Sequence, residues 1–433
     1  MRQVSISRRR LLALGAAWPL ASAAWAEDIV VGPLLDAPTT ASIATIPPKM
    51  ATQGKLATQT EILAGRNEAP IISFGAMQAM QDAIALYEEI AAGGGWPDLP
   101  AEKFLKTRSP DRYILLRQRL VRENYLSFDA LAVEKPESID DELISALKSF
   151  QANHGIAPSG KITERTIAEF NISAADRLAA LLVNMPRIQE YLIGLGTRSI
   201  LVNIPSVQLE TVENGRVHSR HNVVVGKLER PTPALKSMVT DVTFNPYWNA
   251  PASIVSRDII PKFLADPTYL EQMHILVFDG VGGPEVDPLT IDWEVTAPDR
   301  YHFQQQPGEH NALATVKVNF KNEFMVYMHD TPHRELFATN ARFDSSGCVR
   351  VDQVRDFIAW ILNGQDGFDE GRFEMITASQ ETTVTKVQTP TDVRFMYLTA
   401  WATEDGRINF RPDMYGLDNK GFILGQPEPV ETL

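Results

Sequence analysis

One cysteine, Cys348, occurs among the 433 residues, and His329 lies 19 positions before it. A single thiol cannot form an intramolecular disulfide, so it is either core filler or a reactive group. The residues directly before the cysteine, Ser-Ser-Gly at 345–347, are polar and small, which a cysteine packed in the core does not require. His329 follows a strand-like run at 324–328, which could hold the ring rigidly as a base. The pattern predicts nucleophilic catalysis by a thiol with a histidine base.

The segment that follows the cysteine predicts a helix with Asp352 as its N-cap and Gly364 just past its end. Cys348 would then lie shortly before a helix N-terminus, whose partial positive charge favours a thiolate. His218 and His221 would lie on opposite faces of a strand, so they are not expected to share a metal. With no H-E-x-x-H motif and no cysteine cluster, the sequence predicts neither a metal nor a cofactor.

The catalytic pair belongs to a longer pattern. H-D-T-P at 329–332, a loop, and S-S-G-C-V-R-V at 345–351 resemble the signature of L,D-transpeptidases with a YkuD-type catalytic domain. Many members of this family have His directly before the glycine, whereas this chain has Ser346, as larger members often do. The resemblance extends over about 75–430 and implies a β-rich catalytic sandwich within an α+β multidomain protein.

The resemblance also implies a reaction. Cys348 would attack the carbonyl of the third residue of a peptidoglycan stem tetrapeptide, with His329 as the general acid and base. D-Ala would leave, and a second stem would take up the acyl group to form a 3→3 cross-link. The residues predicted to bind the substrate or its oxyanion are Tyr327, Ser346, Gly347, Arg350 and Trp248. For Arg350 a bracing role in the loop is an alternative, and for Trp248 a place in the core is equally open.

The chain divides into segments by composition and hydrophobic period. We predict a signal peptide at 1–26, a disordered linker at 27–70, a helical scaffold at 71–135, a helical module at 136–172, a connecting helix at 173–197, and a catalytic domain at 198–425 with a cap inserted at about 251–306. Within the module, L-K-S-F-Q-A-N-H-G-I-A-P-S-G-K-I-T at 147–163 resembles the small three-helix peptidoglycan-binding module, so the resemblance implies a peptidoglycan-binding-like domain at 136–172. The module could also be a helical spacer without a ligand. We expect the cap to be a mobile lid, with a static insertion as the alternative.

The first 26 residues indicate export. Three arginines at 8–10 precede an apolar run through Leu20, and Ala-Trp-Ala at 24–26 is typical of a cleavage site. The paired arginines fit a twin-arginine signal as well as a general secretory one. No later run reaches the ~20 apolar residues of a membrane span, so we expect a periplasmic protein that is not an integral membrane protein.

The formal net charge of −13 argues against a nucleic-acid partner. The expected partners are peptidoglycan stem peptides, with wall-anchored proteins as conceivable acceptors. Two other functions stay open at this point. A hydrolase with the same nucleophile, such as an L,D-carboxypeptidase or a protein–peptidoglycan amidase, needs only that water replace the acceptor amine. The second is an inactive wall-binding protein.

Overall fold

The computed structural model describes residues 56–107, 109–293, 295–365, 367–420 and 424–425. The predicted signal peptide and most of the predicted linker lie outside the described residues. In the part that is described, helices and strands are mixed, and Cys348 and His329 lie in a β-rich region.

The strands are β1 Glu61–Ile62, β2 Arg198–Asn203, β3 Gln208–Glu213, β4 Arg216–Gly226, β5 Leu235–Phe244, β6 Trp248–Asn249, β7 Ile275–Phe278, β8 His302–Gln305, β9 Val316–Phe320, β10 Met328–His329, β11 Phe343–Ser345, β12 Val349–Val351, β13 Thr383–Lys386, β14 Asp392–Met396, β15 Ala400–Ala402 and β16 Ile408–Phe410. The α-helices are α1 Phe74–Ala92, α2 Arg112–Arg122, α3 Asp141–Asn153, α4 Glu164–Phe170, α5 Ala174–Leu192, α6 Ala252–Ile254, α7 Ile260–Ala265, α8 Tyr269–Gln272, α9 Val354–Ile361 and α10 Glu370–Ser379.

The β-rich region is a sandwich whose two sheets share their longest strands. The first half of β4 pairs with β3 and its second half with β12. In the same way, β5 pairs first with β14 and then with β9. The order β4-β12-β10-β9-β5-β14-β2-β3 closes on itself because β3 also pairs with β4. Apolar side chains between the two sheets, such as Val225, Val318 and Phe395, are fully buried and form the core.

Helix α9 covers the core at one end. Phe357, Ile358 and Ile361 lie on its inner side and are fully buried. The helix begins at Val354, not directly after Asp352, because Gln353 adopts a left-handed conformation with φ of 48° and forms its N-cap. The predicted N-cap at Asp352 was therefore wrong by one residue.

Residues 56–70 are part of the folded structure, so the prediction of a disordered linker was wrong for them. Glu61 and Ile62 add an antiparallel strand to β4. Leu63 is 2% exposed and packs in the cluster formed by α1, α5 and the β15–β16 hairpin. Three apolar side chains at 63, 71 and 72 thus anchor a stretch whose Thr-rich composition had suggested a linker.

The helices before the sandwich do not separate where the sequence had placed a boundary. Leu116 and Leu120 of α2 share one buried cluster with Leu147 of α3 and Phe170 of α4. Helix α3 is capped by Asp140, whose carboxylate accepts a hydrogen bond from the Leu143 N–H at 2.8 Å. The expected boundary at 135/136 therefore cuts through a single core made by α2, α3 and α4.

This helical core is docked on the β15–β16 hairpin by aromatic rings. Phe150 stacks on Phe170 and on His154, with centroid distances of 3.8 and 3.9 Å. His154 stacks in turn on Phe410 of β16 at 5.4 Å. The Arg411 guanidinium, next in the chain, donates a 2.8 Å hydrogen bond to the Asn153 carbonyl. The helical core and the β15–β16 hairpin are therefore in direct, buried contact.

The predicted cap is a small folded unit. Strands β6, β8 and β7 form its sheet, and a helical run from α6 through the π-helical segment Val255–Ile259 to α7 lies beside them. Val255, Phe263 and Phe303 belong to a buried cluster of its own. A separate core explains how an insertion of this length keeps a defined shape. Within the described residues, no helix has the length and apolar character needed to cross a membrane.

Candidate active site

The candidate side chains converge on one face of three adjacent strands. In β10, His329 lies opposite Arg350 of β12 on one side and opposite Lys317 of β9 on the other. Tyr327 and Cys348 precede His329 and Arg350 by two residues each, so alternation puts them on the same face. The five side chains therefore form a compact group, of which the sequence had indicated all except Lys317.

His329 is held as a neutral base. Its ring is 5% exposed, and Nδ1 lies 2.5 Å from the main-chain carbonyl of Asp330. A carbonyl oxygen only accepts, so Nδ1 carries the proton and Nε2 keeps its lone pair. Burial, reinforced by the nearby Arg350 charge and by Lys317, lowers the pKa of His329 to about 3. The imidazole is therefore uncharged at neutral pH and able to accept a proton.

Asp330 fixes the carbonyl that orients this ring, a role that the sequence had not revealed. Its carboxylate is fully buried and accepts hydrogen bonds from the Thr315 hydroxyl at 2.6 Å and from the Thr331 N–H at 2.8 Å. Arg334 adds an ion pair at 3.0 Å. The only signal in the sequence was the position of the aspartate directly after the histidine.

The loop before the nucleophile is tied down by Ser345 and Thr232. The Ser345 hydroxyl accepts a hydrogen bond from the Gly347 N–H and donates one to the Cys348 carbonyl at 2.5 Å. The Thr232 hydroxyl donates to the Gly347 carbonyl at 2.9 Å. Gly347 has φ of +113°, a conformation that residues with a Cβ rarely adopt. Ser346 itself is exposed, so its neighbours, and not Ser346, determine the shape of the loop.

The main chain and the hydroxyl of Tyr327 both lie next to the Cys348 sulfur. Burial raises the pKa of the Cys348 thiol to about 11, although the Tyr327 groups and the charges of Lys317 and Arg350 act in the opposite direction. The free cysteine is thus a thiol at rest, beside a neutral histidine. A resting pair of thiolate and imidazolium is therefore disfavoured.

The prediction that Cys348 lies shortly before a helix N-terminus, which would favour its thiolate, was wrong. Strand β12, Val349–Val351, follows the cysteine directly, and α9 begins only at Val354. The strand predicted at 324–328 is also shorter than expected, because Met325 has φ of 55° and only Met328–His329 pairs in the sheet. The cysteine is therefore fixed by the parallel pairing of β12 with β10, in which the Val349 N–H donates to the Tyr327 carbonyl at 3.0 Å.

Two contacts connect the cap to this group. Trp248, in β6, is half-buried against the cap cluster, and its side chain lies next to the Tyr327 hydroxyl, on the side of the site where the cap begins. Arg230 forms a bidentate pair with Asp258 of the cap, at 2.6 and 3.2 Å, and donates to the Ser346 hydroxyl at 2.9 Å. Sequence reasoning had missed Arg230, since its partners lie 28 and 116 positions away.

The structure also shows the surroundings of Arg350 and of His221. The Arg350 guanidinium has no hydrogen-bond or ion-pair partner among the described residues, so no bracing contact to the loop is present there. His221 is buried, and its Nδ1 contacts the Asp352 carbonyl at 2.8 Å. Searched over the described part of the chain, histidines, cysteines and carboxylates form no group of three that could hold a metal ion.

Residues 197–387 match the family described as the YkuD L,D-transpeptidase catalytic domain. The chain carries a YkuD-type L,D-transpeptidase catalytic domain. The resemblance drawn from H-D-T-P and S-S-G-C-V-R-V is thereby confirmed at the level of the family. The matched range contains both His329 and Cys348, and it also contains the cap.

One curated relative of this L,D-transpeptidase domain is a Haemophilus influenzae protein named "Putative L,D-transpeptidase", which is 38% identical over 222 residues. The alignment covers 51% of this chain and 45% of the relative, so the chain spans about half the length of the curated relative that it matches.

Two solved structures are similar in part. An L,D-transpeptidase from Mycobacterium smegmatis is 14% identical, with 46% of this chain and 58% of that chain covered and a TM-score of 0.21. Mycobacterium tuberculosis L,D-transpeptidase 1 is 15% identical, with 46% and 60% covered and a TM-score of 0.18. Scores this low carry no weight for the site, which is described from its own geometry.

Proposed function

We propose that this protein is a periplasmic L,D-transpeptidase that forms 3→3 cross-links in peptidoglycan. The observation that carries the proposal is the placement of Cys348 on the same face of the sheet as the neutral base His329 and next to Tyr327, inside the range that matches the family. The periplasmic location is supported by the export pattern of the first 26 residues.

The first half-reaction is acylation. As the Cys348 sulfur attacks the carbonyl carbon of the third stem residue, its proton passes to Nε2 of His329. The tetrahedral intermediate then breaks its C–N bond, and His329 returns the proton to the leaving amine of D-Ala. The product is a thioester on Cys348, with no net change in protons.

The second half-reaction returns the enzyme to its starting state. The side-chain amine of a second stem attacks the thioester carbonyl, His329 takes the proton of that amine, and the sulfur leaves and is reprotonated. Two donors support the oxyanion in both steps: the Tyr327 hydroxyl, and the Cys348 N–H, which has no acceptor among the described residues.

The helical core made by α2, α3 and α4 is proposed to bind the wall, on the basis of the sequence resemblance at 147–163 alone. Its docking on the β15–β16 hairpin would hold the strand of glycan at a fixed distance from Cys348. Wall-anchored proteins remain conceivable acceptors.

The test is mass spectrometry of the protein incubated with disaccharide-tetrapeptide, with Cys348→Ala as the matched control, followed by analysis of the products. A thioester adduct on the wild type only, together with a 3→3 dimer, is the expected result. An adduct with tripeptide as the sole product would assign a hydrolase instead. If neither adduct nor product forms and the protein still binds sacculi, the proposed reaction is wrong. The hypothesis of an inactive wall-binding protein then replaces it.

A further inference from the structure

Two cations flank the base in a row across three strands. His329 is paired in register with Lys317 of β9 on one side and with Arg350 of β12 on the other. Neighbouring strands lie about 4.8 Å apart, so both basic side chains begin within one strand spacing of the imidazole. The Lys317 ammonium also lies 4.2 Å from the centre of the Tyr327 ring, on the side of the sheet that carries Cys348.

Neither cation has an anionic partner in contact. No hydrogen bond or ion pair joins Lys317 or Arg350 to a carboxylate within the described residues. The acidic groups that influence them do so without a direct ion pair: Cys348 and Asp241 act on Lys317, and Asp344, Cys348 and Glu335 act on Arg350.

The absence of an anionic partner among the described residues is unusual for a half-buried cation. Asp241 is already engaged by the Asn319 amide at 2.6 Å and by the Thr240 hydroxyl at 2.8 Å. Lys317 and Arg350 are both half-buried, and a half-buried cation without an anionic partner loses hydration that the Tyr327 ring replaces only in part for Lys317 and that an anionic ligand would replace. Arg230, at the edge of the same site, illustrates the usual outcome, since Asp258 pairs with it at 2.6 Å. The pair at 317 and 350 therefore has the character of an anion-binding site.

The chemistry of the leaving group identifies the anion that would lie near Lys317 and Arg350. His329 must protonate the amine of the departing D-amino acid, so that nitrogen lies within a hydrogen bond of Nε2. The carboxyl carbon of an amino acid is two bonds, about 2.5 Å, from its nitrogen. The free carboxylate of the leaving residue therefore lies beside His329, where Lys317 and Arg350 extend.

We infer that Lys317 and Arg350 bind the free carboxylate of the leaving D-amino acid, which makes the site selective for stems that end at the fourth residue. This inference rests on the proposed function. A stem with a fifth residue would place a neutral peptide bond where the carboxylate belongs and leave both cations unpaired. Arg350 offers a planar fork that suits a carboxylate, while Lys317 supplies a compact charge.

The experiment compares two donor peptides that differ only at the end: a stem tetrapeptide with a free D-Ala carboxylate and the same peptide as the D-alaninamide. Wild type should prefer the free acid. Lys317→Met should lower the acid-to-amide ratio of kcat/KM by about 10- to 100-fold, the usual effect of a lost charge-assisted hydrogen bond. Lys317→Arg should restore most of the ratio, and Lys321→Met, an exposed lysine at the end of β9, should leave it as in wild type.

A second readout does not need turnover. Free D-alanine should slow the alkylation of Cys348 by iodoacetamide, D-alaninamide should not, and Lys317→Met should abolish the protection. This result would support the anion site even if wild type released no D-Ala, an outcome that would count against the proposed function alone.

Two results would overturn the inference. In the first, Lys317→Met lowers kcat/KM equally for acid and amide and shifts the pH at which the Cys348 thiol titrates, which would make Lys317 a partner of the thiolate. In the second, wild type shows no preference between acid and amide, and D-alanine gives no protection.

Discussion

The Trp248 indole and the Cys348 sulfur both lie next to the Tyr327 hydroxyl. An indole N–H is a donor only, so a hydrogen bond from Trp248 to the Tyr327 oxygen would leave the proton of that hydroxyl for the sulfur. Since Trp248 opens the cap sheet, the position of the cap and the chemistry of the nucleophile are joined through one tyrosine.

Tyr327→Phe should therefore weaken acylation without unfolding the protein. It removes a donor to the sulfur and to the developing oxyanion, and loss of one such donor lowers kcat by about 100-fold. It should also raise the pH at which Cys348 reacts with iodoacetamide, because the hydroxyl lowers the pKa of the thiol. Tyr247→Phe, on the exposed neighbour of Trp248, is the matched control. Equal acylation rates for both variants would remove Tyr327 from the mechanism.

His329→Gln should flatten the dependence of stability on pH. The folded protein holds the pKa of His329 at about 3, below the 6.5 of an unfolded histidine. Between these values the unfolded chain binds a proton that the folded protein does not, so the free energy of unfolding falls as pH decreases. The fall amounts to at most about 1.4 kcal/mol per pH unit for this one group.

The measurement is urea unfolding of wild type and His329→Gln at several pH values between 4.5 and 7. His154 and His221 also have lowered pKa values through burial, so a residual slope in the same direction is expected in both proteins. The difference between the two slopes is what reports on His329. Parallel curves would mean that the folded protein does not lower the pKa of His329.

Asp258→Asn should loosen the cap while it leaves global stability almost unchanged. The Asp258 side chain is 37% exposed, and an ion pair at this exposure contributes at most about 1 kcal/mol. Weakening the pair with Arg230 should raise the open population, and with it the alkylation rate of Cys348, by up to about fivefold. High salt should have a similar effect on wild type.

Asp299→Asn, at an exposed cap position away from Arg230, controls for the change in charge. Hydrogen exchange over residues 251–306 gives an independent measure of cap opening. If Asp258→Asn leaves both the alkylation rate and the exchange rate at the values of the control, the cap is a static insertion.

The part of the site that could be predicted was the part encoded locally. Cys348, Gly347 and His329 belong to short motifs, and Gly347 has a positive φ that restricts the position to glycine. Lys317 could not be found in this way, since its place beside His329 depends on the register between β9 and β10. A lysine in an alternating strand is ordinarily read as a solvent-facing residue.

The errors in element boundaries have a similar origin. Met325 and Gln353 adopt left-handed conformations that shorten β10 and delay the start of α9, although neither residue type signals such a conformation. The linker prediction failed for residues 56–70 because composition does not record that Leu63 packs under α1 and α5. Long-range packing decided each of these cases, and a single sequence does not display it.

Phe410→Ala tests whether the helical core and the sandwich unfold as one unit. Phe410 is 2% exposed, with its ring centroid 5.6 Å from that of Tyr87 and 5.4 Å from that of His154. Truncation should cost about 3–5 kcal/mol and lower the midpoint of a single unfolding transition. Phe128→Ala, at a ring that is 78% exposed, should stay within about 0.5 kcal/mol of wild type. A second, separate transition in Phe410→Ala would show that α2, α3 and α4 fold independently of the hairpin on which they are docked.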